Sequence, residues 1–521
     1  MNSGLASKIL VNKAGAIGPE AKLLLLRFVA VSGEGPVRAT TRDLARRFGI
    51  ALNVISRATS ELAEAGFVVR RPVVDGRGRP AYEYEVMPGA IESLKRECPP
   101  ETPSHWSLIE LLLMEQVCQA PASREGDTAE LSDDSSANVD AASTLKSTPS
   151  RPSRKGAGAT LSSANRMLLL VLLAHADRMG VVQGIGGTEL AALAGLASGR
   201  LATQVEKLVG LGLVRSVVNG VTGDKLLGKV PSAYVLNLQH SAYGRARVEG
   251  VLYLLEAAVH AGQPIPDREG PQLYAVANRW PLLELNFSIR MPPWGATPSP
   301  PDLHRFGVMQ QVAEFLDGRG SPGLAAYLQF RIEAYASYFL STRWSLLFSP
   351  QDELLMEPDY ALKARIVRDL VPARIYRKGW PGEDALKRYR VLVQVVYVVS
   401  LRLAETIRHT INKTPPPSTM SPCPKPEKMN YLLLPATEAG GAVYFAVLAS
   451  PKVASSMNGN AFCVRPEFGK LRNRVWPDGR LVESEYTFDE QCQWGLRTRS
   501  RKERARMSRA KLNTSGLISH V

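Results

Sequence analysis

The chain has 521 residues, 45% of them hydrophobic and 22% charged, an ordinary globular composition with room for sizeable cores and about three domains. Its 64 Lys and Arg against 49 Asp and Glu leave a formal charge of +15, which favours a polyanionic partner such as nucleic acid. Five cysteines without a C-x-x-C pair argue against a disulfide framework or a zinc knuckle and fit a reducing cytosol. The run Ile9–Val11 is too short for a signal peptide, and the longest apolar stretch, Met167–Ala174, is far below a membrane span. A cytoplasmic protein with no membrane partner is expected.

The first element in chain order is an apolar-periodic helix, Glu20–Val31, with Pro19 suited to its first turn. Thr41 is expected to cap a second helix, Arg42–Phe48, and Gly49 to supply the sharp turn after it. A third helix should run from Leu52 to Ala65 and end at Gly66. Its spacing sends Ile55, Thr59 and Leu62 towards a core and Leu52, Asn53, Ser56, Arg57 and Ser60 outward. Short hydrogen-bonding residues with one long cation suit base edges and phosphates. A strand from Val68 to Arg71, a turn-rich tip with Arg77 and Arg79, and a returning strand, Ala81–Val86, complete a hairpin. Arg70, Arg71, Arg77 and Arg79 on or beside its tip suit phosphate or minor-groove contact.

The stretch TTRDLARRFGIALNVISRATSELAEAGFVVRRPVVDGRGRPAYEYEV resembles the winged helix-turn-helix regulators of bacteria, especially the MarR-like group, over about Pro19–Pro88. The resemblance implies a winged helix-turn-helix unit over residues 15–90 and binding to double-stranded DNA.

Sliding the chain by 146 residues exposes a repeat. Leu44, Ala45, Gly49, Ala51, Leu62, Gly66 and Val68 fall on Leu190, Ala191, Gly195, Ala197, Leu208, Gly212 and Val214 without a gap. A second unit over 160–240 follows: a helix Ser163–Arg178, a helix Glu189–Ala194 capped by Thr188, and a third helix Ser198–Leu211. Strands Val214–Val218 and Ala233–Leu238 should be joined by a longer loop, Asn219–Val230. Its outward face carries Ser198, Gly199, Ala202, Thr203 and Glu206, with Arg200 alongside. Thr203 stands where Arg57 stood and Glu206 where Ser60 stood, so this face is less suited to phosphates. Ser198, Arg200 and Thr203 are its candidate DNA contacts, and protein contact is the competing use.

Between the copies, 121–159 is rich in Ser, Thr, Ala and Pro and should be a disordered linker. Residues 245–412 read as mainly helical, with helices over Arg247–Ala261, Leu303–Asp317, Leu324–Leu347 and Asp384–Asn412. A Pro-rich linker at 414–428, a small α/β segment at 429–495 and a basic tail at 496–521 close the chain. The tail holds eight basic residues and one Glu over Arg497–Lys511.

The expected fold class is mainly α with small β-wings. Gly223–Lys229 matches a phosphate-loop spacing, but Val230 replaces the required hydroxyl and a strand should follow. The seven histidines are scattered, and the acids Asp352, Glu353, Glu357 and Asp359 suit a helix start. The aromatics Tyr327, Phe330, Tyr335, Tyr338, Phe339 and Trp344 read as core. No catalytic, cofactor or metal site is expected. The reading is a sequence-specific DNA-binding transcriptional regulator, with 245–412 available for oligomerisation, partner contact or signal sensing. Its rival is a replication initiator of a plasmid or similar element, which also carries two winged units. The long linker argues against that rival, because initiators pack the two units closely.

Overall fold

The computed structural model describes residues 3–13, 17–32, 35–48, 50–73, 81–92, 103–114, 161–223, 226–248, 250–256, 322–348, 359–372, 375, 383–413, 425–435, 444–452, 461–464, 486–499 and 503. The expected turn at Gly49, the wing tip with Arg77 and Arg79, the linker 121–159 and the helix Leu303–Asp317 lie outside them. So do most of the Pro-rich linker and most of the basic tail. The described chain is mainly helical with small sheets, antiparallel in every pair of strands but one.

The first part runs α1 (Ser3–Val11), α2 (Pro19–Ser32), β1 (Val37–Ala39), α3 (Thr41–Phe48), α4 (Leu52–Glu64), β2 (Val68–Val73), β3 (Ala81–Val86), α5 (Pro88–Glu92) and α6 (Trp106–Met114). The second runs α7 (Ser163–His175), β4 (Val181–Val182), α8 (Gly187–Leu193), α9 (Ser198–Gly210), β5 (Val214–Val218), β6 (Val221–Thr222), β7 (Lys229–Val230) and β8 (Ala233–Leu236). The repeat is structural as well as textual. Helix α9 begins and ends 146 residues after α4 (198 − 52 and 210 − 64), and the sheets have matching orders, β1-β3-β2 and β4-β8-β5. Gly66 and Gly212 close the paired helices at φ 73° and 74°, a left-handed conformation that glycine adopts without steric cost.

Several local readings change. Thr188 lies inside α8, whose cap position is Gly186 with no side-chain bond. The α3 cap is Thr40, not Thr41: the Asp43 amide donates to Thr40 Oγ1 at 3.1 Å, while the Thr40 amide and hydroxyl donate to the Asp43 carboxylate at 3.2 and 2.6 Å. These reciprocal bonds, the Thr40 hydroxyl first, hold the Asp43 carboxyl below its usual range. Strands β1 and β4 add a third member to each sheet. The ribbon β6–β7 occupies the expected second-wing loop.

A further change is larger. Residues Gly250–Glu256, expected within a helix, form strand β9 in a sheet of order β10-β11-β9-β12, with β10 Met429–Leu433, β11 Tyr444–Pro451 and β12 Ala461–Val464. Val251 to Leu255 are all buried, so this unbroken apolar run is an interior strand covered on both faces, which periodicity does not distinguish from a buried helix. The sheet therefore joins the expected helical region to the expected α/β segment. Helices α10 (Pro322–Thr342), α11 (Tyr360–Leu370) and α12 (Glu383–Lys413) pack with it into a second core. Helix α11 begins at one of the acids expected to suit a helix start, although its bounds were not among the expected helices. Asp359 caps it, accepting from the Leu362 amide at 2.9 Å and from the Tyr338 hydroxyl at 3.0 Å.

Helices α2 and α7 have no polar face. Residues 21–30 and 164–173 are buried throughout, and the two helices pack on each other, with α1 and α6 beside α7, in one core that spans both repeats. Lys22, Arg27 and Arg166 are enclosed there, and the first two meet helix ends. Lys22 is 1% exposed, and its Nζ donates to the carbonyls of Asn12 (2.9 Å) and Leu193 (2.5 Å). Arg27 donates to the carbonyl of Phe48. Each thus caps the C-terminal end of the helix before an inter-helix turn, α8 for Lys22 and α3 for Arg27.

Burial lowers the Lys22 ammonium from its usual 10.5 to about 7, and burial, then Arg166, lowers Arg27 to about 10. In the second core, burial raises Glu333 from 4.5 to about 8. Between pH 7 and 10.5 the unfolded chain holds a proton on Lys22 that the folded chain has lost, so this group favours folding more as pH rises. Glu333 acts oppositely between 4.5 and 8, and Arg27 titrates from about 10, so the window from 8 to 10 separates Lys22 from both. The stability of the native chain relative to Lys22→Met should climb with pH across that window. A pH-independent difference in thermal midpoint would contradict it.

Candidate nucleic-acid interface

Helix α4 divides its residues as the spacing implies. Ile55, Ala58, Thr59 and Leu62 are buried, Leu52, Asn53, Ser56 and Arg57 are exposed, and Ser60 is half-buried. Ala51, before the helix, offers no side-chain cap. Asn53 Oδ1 accepts from the Val54 amide at 3.0 Å. Arg57, 69% exposed, meets Glu20 at 3.8 Å, a solvent-screened pair that competes little with another anion. The exposed face thus offers an amide, a hydroxyl and a guanidinium beside one apolar group, Leu52.

Helix α3 adds cations not counted as site residues from the sequence. Leu44 and Phe48 anchor it in the core, and Arg42, Arg46 and Arg47 are exposed. Arg46 pairs with Asp43 at 3.2 Å, both in solvent. Arg38 is exposed on β1. The i, i+4, i+5 spacing of Arg42, Arg46 and Arg47 on an amphipathic helix was a readable signal.

The hairpin stem is less open than expected. The Arg70 guanidinium lies 3.5 Å from the centroid of the Tyr82 ring, and Arg71 meets Glu85 at 3.0 Å. Both are engaged within the hairpin, while β2 and β3 hold a continuous register from Val68↔Val86 to Val73↔Ala81.

In the second repeat, Leu201, Gln204, Val205 and Leu208 of α9 are buried, whereas Ser198, Gly199, Arg200, Ala202, Thr203 and Glu206 are exposed. Its hairpin differs from the first. Leu226 and Leu227 are buried in the second core, and the Leu227 amide donates to the carbonyl of Leu370 at 2.8 Å. Leu227 has φ 65°, a conformation unfavourable for a side chain. Gly223 and Gly228 of the phosphate-loop pattern sit in this hairpin, where the Gly223 amide bonds the Gly228 carbonyl at 2.8 Å and strand β7 follows. Leu226 and Leu227 thus tie this hairpin to the second core, while Gly220, Thr222 and Lys229 remain exposed.

The beginning of the basic tail is also seated. Arg497 donates to the carbonyl of Gly210 at 2.7 Å, Thr498 to the carbonyl of Arg215 at 3.1 Å, and Arg499 meets Asp489 at 2.7 Å. The capping acid Asp359 and the buried aromatics Tyr327, Phe330, Tyr335, Phe339 and Trp344 build the second core. Asp352, Glu353 and Glu357 lie outside the described residues. Among the described residues, no group of three or more His, Cys, Asp and Glu is placed to hold a metal ion, and no helix is long and apolar enough to cross a membrane.

Leu226→Ala removes buried apolar volume and should lower global stability by about 2–5 kcal/mol. Denaturant unfolding checks this, and a change under about 0.5 kcal/mol, typical of a surface site, would contradict burial of Leu226 in the second core. Compared with family models, with curated proteins and with solved structures, the chain has no match.

Proposed function

We propose that the chain is a sequence-specific regulator of transcription that binds double-stranded DNA through a winged helix-turn-helix unit, residues 15–90, with a second such unit at 160–240. The exposed polar face of α4, with Asn53, Ser56 and Arg57 opposite a fully buried apolar face, carries this reading. Arg57 donates to a base edge or phosphate, Asn53 and Ser56 to neighbouring acceptors, and the arginines of α3 to the flanking backbone. Arg77 and Arg79 extend the contact from the wing. In the second unit Ser198, Arg200 and Thr203 contribute from α9 without help from its hairpin. The net charge of +15 supports a polyanionic ligand.

The replication-initiator reading gains from one observation. The two repeats share a core through α2 and α7, so the intervening linker does not keep them apart, and the objection drawn from its length falls away. Duplex melting beside a bound site would favour it; altered transcription without melting would favour the regulator.

Arg57→Ala should weaken a selected site by about 1–3 kcal/mol and relax base preference at one position. Arg47→Ala should weaken all sequences alike and reduce the slope of log affinity against log salt by about 0.9. Titrations of selected and scrambled duplexes at several salt concentrations check both. Unchanged affinity of Arg57→Ala for the selected site would remove Arg57 from the interface.

A further inference from the structure

The segment Ile17–Lys22 touches both repeats. On one side it meets α4: the Gly18 amide donates to the Glu61 carboxylate, and Glu20 pairs with Arg57. On the other side it meets the turn between α8 and α9. A Cβ on Gly195 would stand 2.8 Å from the Ile17 carbonyl oxygen, 2.9 Å from the Gly18 carbonyl carbon and 2.9 Å from the Pro19 nitrogen. Gly195 also has φ 65°, so both space and conformation require glycine there. The Lys22 ammonium meets the Leu193 carbonyl, two residues before Gly195. Helix α9 starts three residues after it, at Ser198.

Backbone therefore rests on backbone between the edge of one exposed helix face and the start of the other. Behind this junction, α2 and α7 are packed in one core. Two units joined only by a linker would sample many separations; units joined by such a contact keep one.

We infer that one copy of this chain reads two elements of a single DNA duplex at one fixed spacing, the first with α4 and the second with α9, and that the Ile17–Lys22 junction sets this spacing. The inference rests on the DNA-binding reading above. The elements differ in sequence, because Arg57 and Ser60 on α4 are replaced by Thr203 and Glu206 on α9. The recognised duplex is thus bipartite and asymmetric. A palindrome bound by two copies would instead have identical halves. Residues 121–159 connect the units without setting their separation.

The test uses the full chain and a duplex chosen from a random pool. Footprinting should show two protected elements for one bound chain. Inserting about five base pairs between them, half a helical turn, rotates one element away and should cost about tenfold or more in affinity. Deleting residues 125–155 should leave the preferred spacing unchanged. Gly195→Val should bind the first element but discriminate between the two spacings less than about threefold. A single protected element, two chains on a palindrome, indifference of the native chain to spacing, or a spacing that shifts with linker deletion would overturn the inference and leave DNA binding standing. The measurements on the native chain decide even if Gly195→Val fails to fold. Failure to select any duplex would overturn the DNA-binding reading and this inference with it.

Discussion

A helix with no polar side cannot stand at a protein surface, and this chain places two such helices in equivalent positions of a repeat. Buried from residue 21 to 30 and from 164 to 173, α2 and α7 satisfy one another's need for cover. Much of the remaining arrangement follows from that pairing. It brings the two repeats together, encloses Lys22 and Arg27, and presses the turn at Gly195 against Ile17–Pro19. Lys22 and Arg27 are costly to desolvate, but each lies where a helix ends in unbonded carbonyls and so meets the negative end of a dipole.

From this common frame the two halves diverge through their sheets. In β3, Ala81-Tyr-Glu-Tyr-Glu-Val alternates, Tyr84 and Val86 facing the core and Glu83 and Glu85 facing outward. In β8, Ala233-Tyr-Val-Leu does not alternate, because its other face is covered by the second core. The first repeat therefore keeps a solvated hairpin with charged residues, and the second gives its hairpin to the protein. The same repeated pattern thus presents an outward-facing hairpin in the first copy and a hairpin joined to the second core in the other.

Much of this was legible from the residues. The repeat offset fixed the limits of α4 and α9 to within a residue, because Gly66 and Gly212 and the apolar spacing agree. The outward set on α4 followed from helical periodicity alone. Strand β9 was missed because five consecutive buried residues carry no period. The pairing of α2 with α7 was missed because a helix buried on every side announces burial without naming its partner. The inward packing of Leu226 and Leu227 was missed, although two leucines in an expected hairpin loop were a readable sign of cover. The exposed arginines of α3 were passed over because that helix was read only as support for the next one.

The second core is tied to the second repeat at both of its ends. Its first strand follows directly from that repeat, with the Val248 amide bonded to the Leu238 carbonyl at 3.0 Å. Its last residues return to Gly210 and Arg215. A body fixed at one end swings; fixed at both, it behaves as a clamped beam and passes on twist instead of absorbing it. Whatever loads the helices beyond residue 322 therefore has a short mechanical path to the far end of α9.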